Sequence, residues 1–122
     1  MTFVLVVDTY AIPAACGAEE SMIRQIFHPH TYKLETRYSI AHCTLGPGKS
    51  TKPHMLKSSE VYYIIKGSGT IYVDKESADV GPGKSVYVPP NSRQSIKNTS
   101  DVRLEFLCIV DPAWRKEDER FD

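Results

Sequence analysis

The chain has 122 residues, enough for one domain with a single core. Fifteen basic and fifteen acidic side chains cancel, so no global field draws the protein to nucleic acid or to an anionic membrane. Apolar residues make up 41% and charged residues 25%, the balance of a soluble globular domain.

The first apolar run, Phe3 to Val7, is five residues long and has no basic flank. That is too short for a signal peptide or a membrane span, but long enough for a buried or exchanged β-strand. Cys16, Cys43 and Cys108 are odd in number and show no CxxC spacing. Together these features predict reduced thiols in a cytoplasmic protein. Cys43 and Cys108 read as small buried apolar side chains; a thiolate role would need a nearby base that the sequence does not place.

Residues 8–21 carry Pro13, Gly17 and small side chains and read as a loop. Met22 to Phe27 is a short strand before a turn at His28-Pro29-His30, whose two histidines read as surface groups. Residues 35–45 are rich in β-formers, and Gly46-Pro47-Gly48 ends them. On that stretch Ala41, Cys43 and Leu45 form the more apolar face, with His42 on the other. Val61 to Lys66 is a β-branched and aromatic strand, Gly67-Ser68-Gly69 a tight turn, and Thr70 to Asp74 the next strand. A turn over Asp79 to Gly83 leads to a strand over Ser85 to Val88, halted by Pro89-Pro90. Gln94 to Lys97 and Val102 to Val110 are the last two strands. Asp111-Pro112 then predicts a helix start, with Ala113 to Arg120 helical and Trp114 packed on the body of the domain. Short strands with Gly and Pro at the joints define an all-β sandwich or barrel.

At two places the spacing resembles the cupin superfamily, small jelly-roll barrels also called double-stranded β-helices. Gly48, His54, Glu60 and Gly67 match the first cupin motif, with Leu56 where a second histidine stands. Gly83, Pro89 and Asn98 match the second, with Asn91 at a glycine position and Gln94 at a histidine position. The closing stretch Phe106 to Arg115 looks like the end of small single-domain cupins labelled sugar-phosphate isomerase-like, a label of little functional weight because one fold hosts many activities. The resemblance implies a single domain over residues 1–122. It has an N-terminal arm (1–21), a barrel (about 22–110) and a tail (111–122) with a short C-terminal helix.

The resemblance further implies that the first motif is a hairpin bringing His54 and Glu60 together, with Gln94 delivered across the barrel mouth. His54, Glu60 and Gln94 are then the expected metal ligands. They would hold a divalent ion (manganese, iron, zinc, nickel or copper) loosely, because Leu56 supplies no donor and Gln94 only a neutral one. Glu60 and His54 are also the expected catalytic pair. Tyr62, on the face of Glu60, and His42 form a second tier of pocket residues. The expected ligand is a small polar metabolite such as a sugar or small carboxylic acid, handled by isomerase, lyase or dioxygenase chemistry. Leu56 and Gln94 equally suit a non-catalytic, metal-free binding or sensing module. Pairing of small cupins through a sheet face, sometimes with exchange of N-terminal strands, implies a homodimer.

Overall fold

The computed structural model describes residues 4–122. Eleven strands build it: β1 (Ala15–Cys16), β2 (Met22–Phe27), β3 (Ser39–Leu45), β4 (His54–Leu56), β5 (Ser59–Lys66), β6 (Gly69–Val73), β7 (Glu76–Val80), β8 (Ser85–Val88), β9 (Arg93–Asn98), β10 (Leu104–Asp111) and β11 (Glu119–Arg120). They form two antiparallel sheets, one ordered β1-β2-β3-β10-β5-β8 and the other β11-β4-β9-β6-β7. The predicted turn at Pro29 is a single helical turn, α1 (Pro29–Tyr32). No helix among the described residues is long and apolar enough to cross a membrane.

Period-two alternation sorts the side chains. On β10, Leu104, Phe106, Cys108 and Val110 are buried, and so are Tyr62 and Ile64 on β5. Register sets them in rows across the first sheet. Cys43, Phe106 and Ile64 form one row, Ala41, Cys108 and Tyr62 the next, and Ser39, Val110, Glu60 and Val88 the last. Ile71, Val80 and Ile96 of the second sheet complete the core. The face carrying Ala41, Cys43 and Leu45 therefore turns inward, as its composition predicts.

Two motif positions explain themselves in the backbone. At Gly67, φ is +81°, and a Cβ would come within 2.9 Å of the Arg103 carbonyl oxygen. Asn91, standing where the cupin pattern has glycine, holds φ at +65°, the left-handed conformation asparagine tolerates better than most residues.

Four expectations need correction. His54 and Glu60 do not form a hairpin: β4 and β5 belong to different sheets, and the two residues line one cavity from those two sheets. β7 is an unexpected strand whose last two residues fall in the predicted turn over Asp79 to Gly83; four of its five residues are exposed and give no apolar alternation. The arm and tail both contribute strands, β1 to one sheet and β11 to the other. The C-terminal helix is only a 3-10 turn at Lys116–Asp118. Its residues cannot coil because their backbone is committed elsewhere. The Ala113 amide donates to the Arg37 carbonyl, the Trp114 amide to the Ser39 hydroxyl, and Glu119–Arg120 pairs with β4. Phe3 lies outside the described residues. Val4 and Val6 are exposed and in no strand of this chain.

Candidate functional site

A cavity of about 480 Å³ opens where the inner face of the first sheet carries small residues. Ser39, Ala41, Cys43 and Cys108 leave unfilled the space that larger side chains occupy further along the same strands. The arm, through Ile12 to Glu19, and the tail, through Trp114 to Glu119, form its outer walls. Its volume lies within the range of roughly 300–1,000 Å³ usual for small-molecule sites.

Glu60 lines this cavity and is 5% exposed, and its Oε1 has no hydrogen-bond partner. Burial pushes its carboxyl above the usual carboxylate range; hydrogen bonding from Cys108, the nearby His54 and Gln94 oppose the shift. His54, at the start of β4, is also buried and lines the cavity. Its Nδ1 lies 2.9 Å from the Lys52 carbonyl oxygen. A carbonyl only accepts, so Nδ1 carries the proton and Nε2 is left as the acceptor nitrogen. The Phe121 ring stands 5.9 Å from the imidazole, centroid to centroid.

Gln94 faces His54 directly in the β4–β9 register and is 1% exposed. The Tyr62 hydroxyl donates a short hydrogen bond to its Oε1. Tyr62 lines the cavity beside Glu60, and burial, then the Glu60 charge, raises its phenol well above the ordinary value. Tyr62, Gln94, Glu60 and His54 thus form one group.

His42 does not belong to it. Alternation along β3 sends its ring to the opposite face of the sheet, where the arm covers it. There its Nε2 lies 2.7 Å from Glu105 Oε1, which also accepts from the Tyr10 hydroxyl at 2.6 Å, and the Tyr10 ring packs edge-on against it. The Tyr10 hydrogen bond is the main influence lowering the Glu105 carboxyl. His28 and His30 lie near each other on the surface, and His28 Nε2 donates to the Trp114 carbonyl at 2.8 Å.

Sequence reasoning missed two acidic wall residues. Glu119 Oε2 stands 3.9 Å from His54 Nε2. Burial raises the Glu119 carboxyl, with nearby Glu19 adding to the shift and His54 and Trp114 opposing it. Glu19 lines the cavity from the arm, its Oε1 accepting from the Ser21 amide and hydroxyl. Neither has a sequence signal: each lies in a segment whose course depends on what it packs against. Cys43 and Cys108 are buried as read, but they also line the cavity, with sulfurs 3.9 Å apart. Hydrogen bonding between them, then burial, raises the Cys108 thiol well above its ordinary value.

These donors do not fit a transition-metal site. Leu56 fills the place of an imidazole, and the Gln94 oxygen is taken by Tyr62. Among the described residues no group of three His, Cys, Asp or Glu side chains is arranged to hold a metal ion.

Comparison with known proteins identifies the class. The cupin domain profile matches residues 41–110, more than half of the chain, and the chain belongs to this family. It is 35% identical over 99 residues to an uncharacterized protein of Methanocaldococcus jannaschii, covering 80% of this chain and 78% of that protein. It is 30% identical over 72 residues to an oxalate-binding protein of Thermotoga maritima, covering 58% of this chain and 60% of that one. Among solved structures, a predicted oxalate decarboxylase from Thermotoga maritima superposes with a TM-score of 0.78 at 22% identity, covering 88% of this chain and 99% of that one, and so shares the fold.

Proposed function

We propose that this cupin encloses one small organic molecule, with an apolar body against the cavity walls and a polar group at Glu60 and His54. The observation that carries this reading is the unpartnered, buried Glu60 Oε1, which shares a cavity of ligand size with the His54 acceptor nitrogen. A buried polar atom without a partner is costly, and a bound ligand would supply the missing contact. The pair suits proton transfer. Burial favours the protonated Glu60 carboxyl, a general acid, while His54 presents Nε2, the ring nitrogen not held by the Lys52 carbonyl, as the partner for the opposite transfer. Proton-transfer isomerase and lyase reactions use such acid–base pairs. Walls rich in Ala, Ile, Leu, Val and Trp favour a hydrocarbon body over a sugar. Kinship with an oxalate-binding protein and with decarboxylase-like folds supports small-molecule handling without choosing the substrate.

A panel of small organic compounds, screened for both thermal stabilisation and turnover, tests this. A ligand of the folded state raises the melting midpoint. Glu60→Gln should keep binding of a neutral ligand but lower kcat by about 10²- to 10⁴-fold, the usual weight of a general acid or base. Leu56→Trp should fill the cavity and abolish binding. Binding that survives Leu56→Trp would place the site elsewhere. A ligand bound without turnover would favour the binding or sensing module.

A further inference from the structure

We propose that the occupant of this cavity is an organic cation, an ammonium group on a compact hydrocarbon body, with Glu60 as its counter-ion. The inference rests on the cavity being the ligand site, as proposed above, and adds the charge of the ligand. Three carboxyl side chains line the cavity, Glu19, Glu60 and Glu119. The basic side chains there are His54 and Lys116, and Lys116 is solvent-exposed at the rim. No arginine lines the wall.

The acidic groups alone would not make a site, but Glu60 is more specific. Its side chain is buried, aims into the cavity and leaves Oε1 without a partner. The Cys108 thiol and the Gln94 amide bear on the carboxyl from within the protein, yet Oε1 itself has no partner. What the oxygen lacks is a donor from the cavity side. An ammonium group brings three donors and a compact positive charge, which favours the ionised Glu60 against the burial that otherwise keeps its proton on and leaves a donor for Glu119. The rest of such a molecule would lie against Ile23, Ala41, Leu56 and Val110. A carboxylate ligand would instead meet three acidic side chains.

Three shape-matched probes isolate the charge: benzylamine, benzyl alcohol and benzoate, titrated calorimetrically into the wild-type protein, Glu60→Gln and Glu119→Gln. The amine should bind the wild type at least about tenfold more tightly than the alcohol, with benzoate weakest, and the preference should shrink as salt rises. Glu60→Gln should weaken the amine by about ten- to a hundredfold and leave the alcohol unchanged. Circular dichroism melts of both variants verify that each is folded. An alcohol that binds as well as the amine, or an amine indifferent to both substitutions, overturns the cation while leaving the cavity reading in place. A midpoint raised more by manganese or zinc than by benzylamine, and no longer raised in Glu60→Gln, overturns it in favour of a metal ion. If none of the three probes binds and the wider panel also fails, both readings fall.

Discussion

The two ends of the inner face of the first sheet are built from the same strands and differ in the size of what they carry. At one end stand Leu45, Ile64 and Leu104, facing Ile71 and Ile96 of the second sheet, all nearly or wholly buried. At the other stand Ser39, Ala41 and Cys108 with Glu60, and the space between them is open. Along β5 the change takes four residues, from Glu60 through Tyr62 to Ile64. Close packing at one end stabilises the fold, so the other end can hold a buried carboxyl and a void, both of which are destabilising. Tyr62 sits at the boundary, stacked on Phe106 toward the packed end and bonded to Gln94 toward the site.

Substitutions at the two ends should therefore have opposite signs. The largest effect is expected from Ile64→Ala, which opens a void in the packed end and should cost about 2–5 kcal/mol in chemical denaturation. An Ile64→Ala loss below about 1 kcal/mol would mean the two ends are not mechanically distinct. Glu60→Gln should act the other way, stabilising the protein by about 1 kcal/mol at neutral pH because it removes a carboxyl that burial disfavours in its charged form.

The same shift fixes a pH dependence. The unfolded chain releases the Glu60 proton near the ordinary glutamate value of 4.5, whereas the folded protein holds it to higher pH. Wild-type stability is therefore reduced as pH rises from 4.5 toward the folded value, and Glu119 contributes in the same sense. Glu105 and Asp118, whose carboxyls are lowered, contribute stability above the ordinary value that is lost as pH falls through their folded values. Melts of wild type and Glu60→Gln across this range should coincide in acid and diverge as pH rises. Curves that stay parallel throughout would contradict the raised Glu60 carboxyl.

The smallest effect on stability is expected on the outer face of the same sheet, where Tyr63, Ile65 and Tyr87 are exposed. Tyr87→Lys should change monomer stability by less than about 0.5 kcal/mol. If copies of the chain pair through this face, the substitution should shift light scattering from dimer to monomer. A wild-type protein that is already monomeric would remove that homodimer from consideration.

Much of the architecture was legible because strands with one buried face announce themselves. The alternation on β3, β5 and β10 and the glycines at Gly67 and Gly83 mark where strands run and stop. His54, Glu60 and Gln94 were legible through motif spacing and Tyr62 through its alternation with Glu60, although their placement on two different sheets was not. What escaped had no local signal. β7 is an exposed edge whose polar residues pair only with β6. β11 exists only because β4 offers it an open edge, and Glu119 reaches His54 only through that pairing. His42 was ambiguous, since a single alternation assigns a face without revealing that the arm covers it.

The walls of the cavity come from opposite extremes of the described chain, Ile12 to Glu19 and Trp114 to Glu119, while the strands behind them make up the scaffold. Part of the wall is thereby separate from the packed core: edits near either extremity would reshape the opening while Glu60 and His54 stay in place on their strands. A fusion partner or affinity handle attached beside Asp122 sits within three residues of Glu119, so a binding assay on such a preparation reports on the handle as well as on the protein.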